Sequence, residues 1–443
     1  MHFTNRFQDL FLKLLTALFT TRPITFTEPS LGSLSEKPKG DVSAHKTPAD
    51  RADDVVGTLS TIVPNLPKIL VESDRVLSAA TTISTHVIGP TIRSRGFPDT
   101  VSKSTLDLLH ELSRLPNNQK TSRKDIGDAF NDPKFFASDL QLVQSDWLPL
   151  LKQWVVGDKE RVPEIIGRIS PPTTAGIVFG VGATSARLEA DRKTQLNLRR
   201  IATLILASAE DAFVSDLTAI SDKLTELLGA TATSSPSSTT RAEIYMVVRA
   251  LVLKTGAIHL AMLWPVINAE LHAAISSVVA PDHSTASETY MNASILQACK
   301  LLDLLICVAP DDFQLHEWLF VTDTIDAVYR SENYQPVALV DELSEELGSS
   351  ASFSSGLHTE SAAAQVATSS HQRRPLLGAG GINDDVSLER KDELVAKVLR
   401  PFFGQLSIFA FETTYAMGAL DRERCVKGLL KDLFDEKTIV KAL

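Results

Sequence analysis

The sequence predicts an all-α protein. Apolar residues recur at spacings of three and four through most of its 443 residues, the mark of helices that turn one face to a core. Strand-like runs are confined to fragments such as 176–181, and the helical runs fall in pairs separated by short or low-complexity connectors. No repeat of fixed period is visible. The pairing therefore points to an irregular stack of helix pairs, a HEAT- or armadillo-like solenoid with disordered insertions.

Residues 1–27 form the first element, an amphipathic N-terminal helix. Over 3–19, phenylalanines and leucines gather on one side, while Arg6, Asp9 and Lys13 interrupt the run and argue against a signal peptide. Such a helix docks on its own stack or lies in a membrane interface. Residues 28–52 are rich in Pro, Ser, Lys and Gly without any period, which predicts a disordered linker.

Residues 53–228 form the next helical region. Within it, Leu106, Leu109 and Leu112 place a helix over 103–115 with Pro116 as its stop. Ser145 is a candidate cap for a helix over 147–155, which puts Pro149 in the first turn, where a missing amide costs little. The prolines and glycines of 170–182 read as a connector before a long helix over 185–228.

A Ser/Thr linker is expected over 229–240, then a helical core over 241–347. Ile244, Val247, Val248, Leu251 and Val252 mark its first helix, which Trp264-Pro265 ends or kinks. Thr285 and Glu288 fit a capping box. Ile295, Cys299, Leu302 and Ile306 form the buried face of the next helix up to Pro310, and Asp311 or Asp312 can cap the one after. Residues 348–385, dominated by Ser, Ala, Gly and Gln, read as a disordered insertion. The C-terminal helices over 386–443 carry the apolar positions Val395, Val398, Leu399, Phe402 and Leu406.

Composition narrows the function. Apolar residues make up 44% and charged residues 22%, enough apolar surface for most of the chain to fold. The formal net charge of −10 argues against nucleic acid, which draws a basic face. Three cysteines, Cys299, Cys307 and Cys425, fit a reducing compartment better than a disulfide framework, so the chain reads as cytosolic. The most apolar long stretch, 244–267, is broken by Arg249, Lys254 and His259, so membrane contact is expected to be peripheral. His2 excludes N-myristoylation, and Lys441-Ala442-Leu443 is neither a prenylation box nor a retention signal.

Signs of chemistry are weak. Gly180, Gly182 and Ser185 imitate the opening of a dinucleotide fingerprint, but the third glycine and the second strand are missing, so a linker explains them better. Cys299 and Cys307 stand too far apart for a short zinc motif and read as small core residues. His259, His272, His283 and His316 are scattered outside H-E-x-x-H, and no G-x-S-x-G occurs. Asp311, Asp312, Asp341, Glu342, Glu345 and Glu346 serve as caps or solvated faces. Trp264, Trp318 and Phe320 could anchor a partner, but their helical spacing places them in the core. No catalytic, cofactor-binding or metal-binding residue is assigned, and no cofactor is expected.

One basic cluster remains. Arg187, Arg192, Lys193, Arg199 and Arg200 crowd one helix with few acids, which makes them the candidates for a phosphoinositide headgroup or an anionic membrane. A solvated helix face is the plainer explanation.

Several segments carry a family resemblance. LWPVINAEL at 263–271, ILQACKLLDLL at 295–305, APDDFQLHEWLFVTDTIDAVY at 309–329 and PVALVDELSEEL at 336–347 resemble the C-terminal region of the Dopey family. DPKFFASDLQLVQSDWLPLLKQWV at 132–155 and NLRRIATLILASAEDAF at 197–213 extend the likeness over roughly 125–443. It implies a non-enzymatic cytosolic scaffold held peripherally on the trans-Golgi network and endosomes. It further implies two partners: a large helical-repeat Golgi scaffold related to Arf exchange factors, and a type-IV P-type ATPase phospholipid flippase. Family members are longer and begin with a separate N-terminal domain, for which this sequence has no expected counterpart.

Overall fold

The computed structural model describes residues 2–20, 48–115, 119–158, 160–171, 183–229, 237–281, 284–321, 338–349, 372–378, 381–415 and 418–439. They divide into two compact units, one drawn from Met1–Lys159 with Phe434–Lys441, the other from Glu160–Leu433.

The main helices of the first unit are α1 (His2–Thr20), α2 (Pro48–Ile62), α3 (Ser73–Ile83), α4 (Lys103–Arg114), α5 (Gln119–Asn131) and α6 (Leu148–Gly157). α2 packs on α4, α4 on α5 and α5 on α6. Leu106, Leu109 and Leu112 are buried as their spacing predicts, and so is Leu108. Ser102, in extended conformation, caps α4 by accepting the Thr105 N–H at 3.3 Å. An aromatic cluster fills the centre: Phe135 meets Phe130, Trp147 and Phe434 edge to face at 5.2, 5.2 and 5.8 Å, the geometry that the ring quadrupole favours. α1 lies against α3, where Asp9 accepts from Arg75 at 2.6 Å and Phe19 stacks on His86 at 5.2 Å.

Three helices contain one π-helical turn each, at Ser84–Ile88, Val143–Trp147 and Val395–Leu399. Pro90, Pro149 and Pro401 each stand two residues after such a turn. A proline lacks the amide that would bond four residues back, and its ring crowds that carbonyl. Widening the preceding turn relieves both, so the helix continues instead of breaking. Pro149 therefore lies inside a helical run that starts at Leu140, and Asp139 caps it by accepting from the Gln141 and Leu142 amides. Ser145, expected as the cap, instead donates to the Gln141 carbonyl within the π turn.

The second unit comprises α7 (Arg161–Gly167), α8 (Ala183–Ala207), α9 (Leu217–Leu228), α10 (Ser238–Lys254), α11 (Trp264–Ser276), α12 (Asn292–Val308), α13 (Leu339–Ser349), α14 (Arg400–Tyr415) and α15 (Arg422–Leu433). Helices alternate between two layers: α8, α10 and α12 lie side by side, and α7, α9 and α11 follow one another over them. That is the solenoid-like pairing expected from the sequence. α13 packs on α14, α14 on α12, and α15 on α8 and α10.

The long helix expected over 185–228 is two helices. The chain turns at Asp211, whose φ is 59°; its N–H donates to the Lys254 carbonyl and its carboxylate accepts the Gly256 N–H at 2.7 Å. Aspartate tolerates this left-handed conformation because its side chain bonds locally. α10 starts at Ser238, capped by Ser237, ahead of the expected Arg241. Trp264-Pro265 opens α11 instead of ending α10, with Pro265 in the first turn. The cap expected at Thr285 falls at Ser284, which accepts from Ser287. Pro310, not Asp311 or Asp312, precedes the short helix Asp311–Gln314.

α10 and α12 are buried on every side, Thr240 to Leu253 and Ser294 to Cys307 without a gap. They form the centre of the stack, so their charged residues must be paired inside it. Two helical stretches, Ala261–Val279 and Lys391–Tyr415, are long and apolar enough to cross a membrane by length and composition, yet 56% and 50% of each is buried by the fold, the pattern of a core helix.

The insertion expected over 348–385 is ordered at its C-terminal end. β1 (Gln372–Arg373) pairs in parallel with β2 (Ala419–Leu420). Leu376 and Leu377 donate their amides to Asp303 of α12 at 3.0 and 2.7 Å, and Asp384 pairs with Lys300 at 2.6 Å. Residues 350–371, the linker over 21–47, most of the 229–240 linker, and the strand fragment at 176–181 with Gly180 and Gly182 lie outside the described residues.

Candidate functional site

The basic residues expected to meet a headgroup do not share one surface. Arg187, Arg192 and Lys193 are exposed on the N-terminal half of α8, where Lys193 pairs with Glu189 at 2.9 Å. Arg199 and Arg200 lie inside the fold. The Arg199 guanidinium, 3% exposed, grips the Glu243 carboxylate and also donates to the Leu433 carbonyl at 2.9 Å. Arg200 donates to Asn197 at 2.9 Å. Neither can reach a lipid headgroup from these positions, which corrects that part of the expectation. Periodicity hid this, because α8 turns from a solvated half to a buried half after Lys193.

The buried charges continue as a lattice. Glu270 accepts from Arg241, Tyr245 and Tyr290, the two tyrosines at 3.0 and 3.2 Å. Asp432 of α15 takes both Arg249 and Lys300 at 2.6 Å. Burial pushes the Asp432 carboxyl up, but the two cations outweigh it and hold the group at about 2. Burial pushes Asp303 up to about 7, against the pull of the Leu377 and Leu376 amides. These groups join helices.

Other residues singled out in the sequence take structural places. Cys299, Cys307 and Cys425 are buried free thiols, and burial raises Cys299. His272 meets Ser276 on its own helix, and His316 meets the Asp312 carbonyl. His283 lies outside the described residues. Among the described residues, no group of three His, Cys, Asp or Glu side chains could hold a metal ion. Asp341 accepts from Ser407, tying α13 to α14.

What the second unit does offer is exposed apolar surface. Trp264 and Phe320 are core residues as expected, but Trp318 is 57% exposed. The chain after Pro310 runs as short turns, so helical spacing gave the wrong facing. Leu315 is exposed beside it, and so are Ile258 and Met262. The turn Ala257–His259 packs on the short helix Asp311–Gln314, which packs on the turn Glu317–Leu319, so these side chains stand on adjoining segments. Asp311 is exposed among them.

A second apolar face belongs to the first unit. α1 buries Gln8 and Leu15 and exposes Phe7, Leu10, Leu14 and Leu18, a stripe at spacings of three and four. Arg6 and Lys13 are exposed on the same helix.

Comparison with known proteins decides the family. The family model described as DOP1 C-terminal matches residues 2–416. The chain belongs to the DOP1, or Dopey, family. It is 48% identical over 433 residues to Protein dop1 of Emericella nidulans, covering 97% of this chain and 22% of that protein. It is 26% identical to Protein DOP1 of Saccharomyces cerevisiae, with 81% of this chain and 20% of the yeast protein aligned. Protein DOP1B of Xenopus laevis is 24% identical over 60% of this chain and 12% of its own length. The chain thus spans about a fifth of the length of the two fungal DOP1 proteins. No solved structure matches it significantly.

Proposed function

We propose that this chain is a non-enzymatic docking element of a DOP1-type trafficking protein, a cytosolic scaffold that holds partners on trans-Golgi and endosomal membranes. The observation that carries this reading is the exposed set of Trp318, Leu315, Ile258 and Met262 on an otherwise well-packed helical stack. Aromatic residues supply most of the energy of protein interfaces, and clustered exposed apolar side chains mark binding surfaces. Membership of the DOP1 family supports the trafficking role. The expected partners are the large helical-repeat Golgi scaffold related to Arf exchange factors and the type-IV P-type ATPase flippase. The test is direct binding of the purified chain to each purified partner. Saturable binding to either supports the proposal; binding to neither rejects it.

A second reading, peripheral contact with anionic lipid, is favoured by the α1 stripe with Arg6 and Lys13 beside it. Flotation with phosphoinositide vesicles tests it. The chain should float with the vesicles and stay behind when Leu10 and Leu14 become Asp.

A further inference from the structure

We propose that the outer face of α14 is a docking groove for an amphipathic helix of another protein, one whose apolar ridge is flanked by Lys and Arg. α14 buries Phe402, Phe403, Leu406 and Phe409 in the second unit and turns Ile408, Phe411 and Tyr415 outward, with 47%, 43% and 70% of each exposed. These three stand at spacings of three and four, so they form one stripe along the last two turns. The Phe411 and Tyr415 rings already lean on each other with centroids 4.9 Å apart, which leaves them less freedom to lose when a partner covers them. Single exposed apolar side chains are ordinary on a protein surface, whereas a contiguous aromatic stripe marks a contact site.

Charge sets the kind of partner. α13 packs along α14, and Asp341 accepts from Ser407 at 2.9 Å, which fixes the edge of α14 that faces α13. At about 100° of turn per residue, Phe411, Tyr415 and Ile408 follow Ser407 in that order round α14, and Glu412 lies beyond them. The stripe therefore runs between α13 and Glu412. α13 carries Asp341, Glu342, Glu345 and Glu346, and neither 339–349 nor 401–415 contains a Lys or Arg. Asp341 and Glu342 suit the first turn of α13, where the helix dipole favours acids, but that effect fades within one turn and does not account for Glu345 and Glu346. Glu342 and Glu345 are exposed. An apolar floor between acidic borders repels the anionic face of a membrane and favours a helix with positive charge beside its apolar ridge. It also discriminates against an acidic helix of equal hydrophobicity, whose like charges would meet those borders.

The groove shares no residue with the Trp318 face or with the α1 stripe, so it stands or falls apart from both. The experiment titrates the full chain into a fluorescent synthetic peptide of about five helical turns, leucine on one face and lysine on the other, and into a twin with glutamate in place of lysine. Anisotropy reads the affinity. The lysine peptide should bind saturably, at least about tenfold more tightly than the twin, and more weakly as salt rises. Phe411→Ala with Tyr415→Ala should weaken it by about tenfold or more at an unchanged melting temperature. Glu342→Lys with Glu345→Lys should reverse the preference between the two peptides, and Trp318→Ala with Leu315→Ala should change nothing. No saturable binding, binding that survives Phe411→Ala with Tyr415→Ala, or binding lost instead with Trp318→Ala overturns the proposal and leaves the reading of the Trp318 face standing. A dimer of the chain in sedimentation that Phe411→Ala with Tyr415→Ala dissolves would assign the groove to a second copy, and vesicle flotation lost in the same variant would assign it to a lipid surface; either result also overturns it.

Discussion

Arg199 and Glu243 sit deep in the second unit, where an unpaired charge would be costly. Their attraction and the extra bond to the Leu433 carbonyl offset the cost of removing both from water. Arg199→Ala leaves the Glu243 carboxylate buried without its partner, and such losses cost about 3–5 kcal/mol. The urea midpoint should fall accordingly, whereas Arg192→Ala, on the solvated half of α8, should leave it within about 0.5 kcal/mol of the wild type. Asp303 makes a different prediction. Its carboxyl is raised from 3.8 in the unfolded chain to about 7 in the folded one. Between those values the native state holds a proton that the unfolded state has released, so this group's contribution to stability falls as pH rises from about 4 to 7 and is flat above. Asp303→Asn should remove that slope, read as the difference between wild type and variant in urea midpoints from pH 4 to 8; parallel profiles would contradict the assignment. Charge pairing of this kind was not legible in the sequence. Nothing in the spacing of Arg199 announces a partner 44 positions away.

Elements were more legible than their boundaries. Leucine spacing placed α4 almost to the residue, and the apolar stripes of α10 and α12 were found, though all-round burial exceeded the single face that periodicity predicts. Proline and serine misled where tertiary packing overrode local preference. Pro149 sits within a helix because a π turn makes room for it, and Pro265 begins a helix instead of ending one. Asp211 ended α8 through contacts with Lys254 and Gly256, which lie in another element. The order in 372–378 comes from Asp303 and β2, so its composition could not reveal it. At this scale α1 carries its own prediction. Leu10 and Leu14 are exposed, so Leu10→Asp with Leu14→Asp should keep the helical circular dichroism signal and the melting temperature while abolishing flotation with anionic vesicles. Loss of the fold instead would mean that the stripe packs against protein.

Across the molecule, alternating helices in the second unit bury two central helices completely and place Trp318, Leu315, Ile258 and Met262 outside. The family was legible in the sequence because it rests on the order of several long segments. The docking face was not, since it depends on short turns after Pro310 that no periodicity describes. The function proposed here stands on that face. The most direct measurement is the affinity of the purified Golgi scaffold partner for the wild-type chain and for Trp318→Ala with Leu315→Ala, checked for equal melting temperatures. Loss of about 2 kcal/mol or more, roughly thirtyfold in Kd, is predicted for a central aromatic anchor. Equal affinity for both proteins would contradict the account.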